Sequence, residues 1–226
     1  MMTDNIHHRV RQMFLYGFPI GTFVATWIYW LVVERTGFAM PIFILIIPVI
    51  FAFAAIRVIV GPLGLWTWRM SMLHLAFLWS TYSALGILIV SDSIAAPFTF
   101  TSVIKTAIFC GVLGGLIGTL IDIVGIDQGL LELHYTTLDR GMVNTVLSYS
   151  FKFFGAFSAI YGILAKVGHY VLVERSLPQW LPVLILGASA LLIGPYLIHF
   201  LLTGRDDQTA VATPPTSEPP VAEPPL

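Results

Sequence analysis

The chain has 226 residues, 57% of them hydrophobic and only 10% charged, with a mean hydropathy of +0.87. Soluble domains carry roughly 45–50% apolar and about 25% charged residues, so this composition excludes an ordinary soluble catalytic domain. Net charge is −1 with no basic cluster suited to nucleic acid, and the single cysteine, Cys110, rules out a disulfide within the chain or a cysteine-based metal site.

Apolar runs of about 20 residues, the length a bilayer asks of a helix, recur from end to end. They predict an all-α fold, a polytopic membrane helix bundle with six transmembrane helices over 14–33, 38–60, 66–90, 103–124, 144–164 and 181–202. Residues 1–13 form a cytoplasmic N-terminal segment, 14–204 the transmembrane domain and 205–226 a disordered, acidic, Pro-rich tail. The first run exceeds the apolar core of a typical signal peptide and ends in "WLVVERTG" without a small-x-small site, so it reads as a retained helix.

The links "ERTG" and "GPLGL" are so short that the first three helices are expected to be antiparallel neighbours. Pro41 and Pro182 fall in first turns, where a missing N–H costs nothing. Pro19, Pro48 and Pro195 fall inside spans, where each frees a carbonyl and kinks its helix. "GFPIGTF" echoes "GGLIGTL", but their offsets within their helices disagree with an inverted repeat, and the echo reads as chance.

The fourth span holds "GVLGGLIGTLIDIVGID". At about 100° per residue, Gly111, Gly115, Gly118, Asp122 and Gly125 share one arc of roughly 80°. Gly111/Gly115 and Gly114/Gly118 are both GxxxG pairs, so this face is expected to meet another helix, in this chain, a partner protein or a second copy. In the fifth span Thr145, Ser148, Lys152, Ala156 and Ala159 make a matching small-residue stripe, which predicts an Asp122–Lys152 pair between spans four and five. Such a pair is either structural neutralisation or a functional site.

His74, Arg69 and His199 fall in the same half of the membrane as that pair. Each histidine reads first as hydrogen-bonded near the headgroups or lining a wet vestibule. A bis-histidine haem through His74 and His199 is a further option, and no other cofactor is expected. In the loop "GIDQGLLELHYTTLDRGM", Asp127, Glu132, His134 and Asp139 match no metal motif, and Leu130, Leu131 and Leu133 suggest a short amphipathic piece on the membrane surface.

Six spans put both termini on one side. That side takes Arg9, Arg11, Arg57, Arg69, Arg140, Lys152 and Arg205, against Arg35, Lys105, Lys166 and Arg175 opposite. Seven against four places the termini in the cytoplasm, with a bacterial-type inner membrane as the expected location. Trp27, Trp30, Trp66, Trp68 and Trp180 lie near span ends, as interfacial belts do. The tail holds Asp206, Asp207, Glu218 and Glu223, no base, and Pro-Pro at 214, 219 and 224, a composition suited to a solvated polyproline II segment.

No familiar catalytic motif occurs, so an enzyme is not expected. The first functional reading is a small-solute or ion transporter or channel whose cytoplasmic-half cavity is lined by Asp122, Lys152, His74, Arg69 and His199. The second is a non-catalytic structural or assembly subunit that binds partner helices through Gly111, Gly114, Gly115, Gly118 and Gly125. A single-haem electron carrier is third. Lipid is the expected environment and nucleic acid is not an expected partner.

Overall fold

A computed structural model describes residues 2–55, 66–133 and 142–203. Helix α1 covers residues 2–33 and is interrupted by two π-helical turns, Met13–Gly17 and Tyr29–Val33. It is followed by α2 (Ala39–Ala55), strand β1 (Trp66–Trp68), α3 (Met72–Ile89), the short α4 (Ser91–Ala95) and α5 (Phe100–Asp127). Strand β2 (Leu131–Leu133), α6 (Met142–His169) with a π-helical extension Tyr170–Glu174, and α7 (Leu181–Thr203) complete the described chain.

Five helical stretches are long and apolar enough to cross a membrane: His7–Val33, Met72–Ile89, Phe100–Asp127, Ser150–Glu174 and Pro178–Ile198. Large apolar side chains of α1 and α7, including Phe18, Val24, Val32, Leu186 and Ile198, are exposed on the outer surface. That much exposed apolar surface is suited to lipid and not to water. The chain is a helical, membrane-embedded protein.

The boundaries differ from the sequence reading where backbone pairing intervenes. The third helix starts at Met72, six residues later than expected, because Trp66–Trp68 pairs antiparallel with Leu131–Leu133, Thr67 opposite Glu132. Leu130 and Leu131 are buried, so this stretch is not an amphipathic piece on the membrane surface. Gly129, at φ +63°, closes α5: its N–H bonds Ile126 O at 3.0 Å and that of Leu130 bonds Gly125 O at 2.8 Å. This is the Schellman arrangement, which turns the chain into β2. Helix α5, the fourth expected span, opens at Phe100 through a reciprocal Thr99–Ser102 capping box. The "GPLGL" link, His134, Asp139 and the Pro-rich tail lie outside the described residues.

Contacts along the bundle fix the direction of each helix. His7 Nδ1 lies 3.2 Å from Gln128 Nε2 beside β2, so α1 starts at the ribbon end, and it reaches the far end where Trp30 meets His169. Helix α2 comes back: Phe43 fills the space beside Gly168, and Phe51 stacks on Phe157 at 4.3 Å and contacts Phe153. Helix α3 then runs outward beside α1 and parallel to it, with Phe77 against Phe23 and His74 against Leu15. The extensive partner of α1 is therefore α3, and α2 touches α1 mainly near the connecting turn.

The interior prolines explain several polar contacts. Pro48 cannot donate to Ile44 O, and Tyr161 Oη–H donates to that carbonyl at 2.5 Å. Pro19 frees Leu15 O in the same way, and His74 Nε2 lies 3.3 Å from it. Neighbouring helices thus supply the donors that proline removes, as a bilayer interior requires. Around these contacts Trp30, Phe43, Phe51, Trp79, Phe157 and Tyr161 form the central packed layer.

Candidate functional site

Helices α5 and α6 form the closest seam in the molecule, and glycine makes it possible. A Cβ at Gly111 would meet Ala159 Cβ at 3.2 Å and Gly155 O at 3.3 Å, while one at Gly155 would meet Gly111 O at 3.2 Å. At Gly114 it would strike the Ser158 hydroxymethyl group, and at Gly118 the root of the Phe154 ring. At Gly115 it would press on the Phe151 ring at 2.9 Å. Gly125 is buried at the ribbon end of the same helix. The glycine face is therefore filled by α6 of the same chain. Phenylalanine rings of α6 enter the gaps that glycine leaves, and dispersion contacts at this range do the work that water does for soluble bundles.

Asp122 lies in this seam, 6% exposed, and accepts a hydrogen bond from Ser150 Oγ at 2.5 Å. It does not pair with Lys152, which is exposed on α6 and lines a shallow apolar groove with Ile108, Val112 and Ala156. The reason is angular: Ser150 and Lys152 stand two residues, about 200°, apart, so only one can face α5. Lys152 and Ala156 lie on the flank of the seam and Ala159 lies within it against Gly111, while the side chains of Thr145 and Ser148 lie outside the described residues.

The other expected cavity residues are dispersed. His74 is turned to α1, and against a carbonyl its Nε2 can only donate, which fixes the tautomer. Ser71 caps its helix by accepting the His74 backbone N–H at 3.3 Å. Arg69 is exposed and its backbone N–H bonds Leu130 O at 2.7 Å, extending the ribbon. His199 is on the last turns of α7, and its side chain is outside the described residues. A cavity of about 30 Å³ lies between α3, α5 and α6, with Tyr82, Ser83, Cys110, Ser158 and Tyr161 in its walls and, among the described residues, none of Asp122, Lys152, His74 and Arg69. It is wide enough for one or two waters. Trp79 is also in its wall, and the Trp79 Nε1–H has no hydrogen-bond partner among the described residues.

The opposite end of the seam holds a polar group that sequence reading missed. Lys166 is 1% exposed, and its ammonium donates to three backbone carbonyls: Ser93 O at 2.7 Å, Ile94 O at 3.2 Å and Ala96 O at 2.6 Å. These are the last carbonyls of α4, so the lysine caps a helix C-terminus with favourable charge. Thr106 Oγ1 adds a bond to Ser93 O at 3.2 Å. One turn further on, His169 Nδ1 approaches Glu174 Oε1 at 3.5 Å, and Tyr29 Oη donates to Glu34 Oε1 at 2.9 Å. A signal existed: the apolar run continues past Lys166 and His169 to Val173, so the fifth span extends well beyond residue 164.

Comparison with protein-family models, curated proteins and solved structures finds no match for this chain. The class that fold and composition define is a helical, membrane-embedded protein.

Proposed function

We propose that this chain is a six-span integral membrane protein that binds and passes protons or a small monovalent cation, with Asp122 as the binding carboxyl. The observation that carries this reading is charge balance at Asp122. A buried carboxylate in lipid is costly unless a cation or proton neutralises it, and among the described residues its one polar partner is the Ser150 hydroxyl. Such a group holds a proton or cation that it can exchange. The cavity between α3, α5 and α6, whose wall includes Gly118 and Ile121 of the same helix as Asp122, has room for water.

The sixth span in this reading is α2. Its described helix is seventeen residues, yet it connects the far end, where α1 stops, to the ribbon end, where α3 starts. Six alternating spans put both termini on the ribbon side, and the seven-to-four basic count makes that side cytoplasmic. A phosphatase fused after Thr203 should then stay silent in a bacterial cytoplasmic membrane, and one fused after Ser176 should be active.

The transport test uses the purified chain in liposomes holding a pH-sensitive dye, with gradients of H⁺, Na⁺ or K⁺. Wild-type vesicles should dissipate one of these gradients and Asp122→Asn vesicles should not. Vesicles as tight as protein-free ones under every gradient would overturn the proposal. A second reading, an assembly subunit, draws on α7, where Gly187 and Gly194 stand one heptad apart with open space beside them. A partner protein recovered in fixed stoichiometry, and lost on Gly187→Leu, would favour it.

A further inference from the structure

Three buried side-chain nitrogens have no hydrogen-bond partner among the described residues, and two of them, Trp30 Nε1 and His169 Nδ1, belong to rings that meet at the far end. Trp30 is fully buried and His169 is 5% exposed, with ring centroids 6.2 Å apart. Unpaired buried groups are rare enough to ask for an explanation, and two in one contact ask more strongly. We propose that His169 is a proton-binding station on the non-cytoplasmic side, at the opposite end of the α5–α6 seam from Asp122. The proposal rests on the reading of Asp122 only for the direction in which protons move.

The surroundings suit a group that gains and loses a positive charge. Glu174 of the α6 extension faces Nδ1 at 3.5 Å and is partly exposed, so it connects the ring to the aqueous face. Glu34, just past α1 at the same end of the bundle, is a second carboxylate there and is itself bonded by Tyr29. Asp92 of α4, the helix whose end Lys166 caps, is a further carboxylate at this end. Lys166, one turn earlier on α6, is the positive charge at this end, and its three N–H groups are committed to the carbonyls of Ser93, Ile94 and Ala96. From α2 comes the Phe43 ring, packed against Gly168. Protonation places N–H on both ring nitrogens, and Nδ1–H then donates to Glu174 Oε1 as an ion pair. No bond other than N–H forms, and the proton arrives from the outer solution and leaves towards the seam. There the cavity walled by Trp79, Ser83 and Ser158 lies between His169 and Asp122.

The test is nitrogen-15 NMR of the full chain in lipid nanodiscs. The imidazole of His169 is assigned by its loss in His169→Gln, and the indole N–H of Trp30 by its loss in Trp30→Phe. The expected result is an imidazole that titrates within roughly pH 5–8, with the Trp30 N–H shifting at the same midpoint. Glu174→Gln should lower that midpoint by about one unit, since it removes the adjacent counter-charge. Asp122→Asn should leave the titration in place. An imidazole that stays in one charge state across that range overturns the station, as does a midpoint unmoved by Glu174→Gln. If His169 titrates as described while wild-type vesicles pass no ion, the station stands and the transport reading of Asp122 falls. If Asp122-dependent flux is present and His169→Gln leaves its dependence on outer pH unchanged, the reverse holds.

Discussion

Asp122 and Lys166 are both ionisable, both buried and both in the α5–α6 seam, yet the structure treats them oppositely. Lys166 offers three N–H donors and meets three carbonyls, so its charge is fully solvated by backbone dipoles. Asp122 offers two oxygens and meets one hydroxyl, with no base beside it among the described residues. A buried charge whose hydrogen-bonding capacity is filled is held in one state. A buried carboxyl without a counter-charge settles its balance by taking up a proton or cation. On the proposed reading, the difference separates a structural clamp from an exchangeable site within one interface.

The largest expected effect is at the clamp. Lys166→Met should destabilise the detergent-solubilised protein by about 3 kcal/mol, because three acceptors lose charge-assisted donors at once. The fall should appear as a lower thermal-aggregation temperature, with faster proteolysis between Ala96 and Thr99. A variant as stable as wild type would show that water serves these carbonyls equally well, and the contrast with Asp122 would dissolve.

The seam itself should come next. Gly118→Ala pushes a methyl group into the root of the Phe154 ring, an obstruction that no flexible chain end can relieve. Overpacking of this kind costs about 2 kcal/mol, whereas Gly21→Ala, with open space around it, should cost little. Equal losses at the two positions would mean that the seam is looser than its geometry.

Much of this seam was legible beforehand, and the part that was not has a physical reason. Glycines at 111, 115 and 118 announce a helix-facing stripe through their spacing alone, and α6 was the expected partner. Small residues of α6 do meet part of that stripe, Ala159 and Gly155 at Gly111 and Ser158 at Gly114, whereas Phe151 and Phe154 fill the space at Gly115 and Gly118, so the partner face is part small and part bulky. His74 and Tyr161 were legible in half. Pro19 and Pro48 say which carbonyls lack a donor, Leu15 and Ile44, but only the tertiary arrangement says which side chain arrives. On sequence alone the fifth span ends at Leu164, and Lys166 counts with the link that follows. Its partners are carbonyls seventy residues away, which no local pattern contains.

The proline contacts give a smaller, separable effect. Tyr161→Phe leaves Ile44 O without a donor and should cost about 1–2 kcal/mol. Pro48→Ala restores a backbone N–H four residues after Ile44, so adding it to Tyr161→Phe should recover most of that loss. The coupling, read from thermal melts of the four proteins in the cycle, should exceed about 0.5 kcal/mol. Additive losses would mean that the hydroxyl is not serving the proline gap.

The smallest change in stability belongs to Asp122, and that is what distinguishes it from Lys166. If the carboxyl is held neutral, Asp122→Asn replaces it with a group of the same shape that still accepts from Ser150, and the loss should stay within about 0.5 kcal/mol. Lys152→Met should be similarly mild, because that side chain is exposed on the flank of the seam. Since Ser150 and not Lys152 faces the carboxyl, the two substitutions should add to within about 0.5 kcal/mol. A larger coupling would restore the ion pair that the helical angles argue against, and would make Asp122 a structural residue like Lys166. A large loss from Asp122→Asn alone, with no coupling to Lys152, would instead show that the carboxyl is ionised in the folded protein and held by a cation.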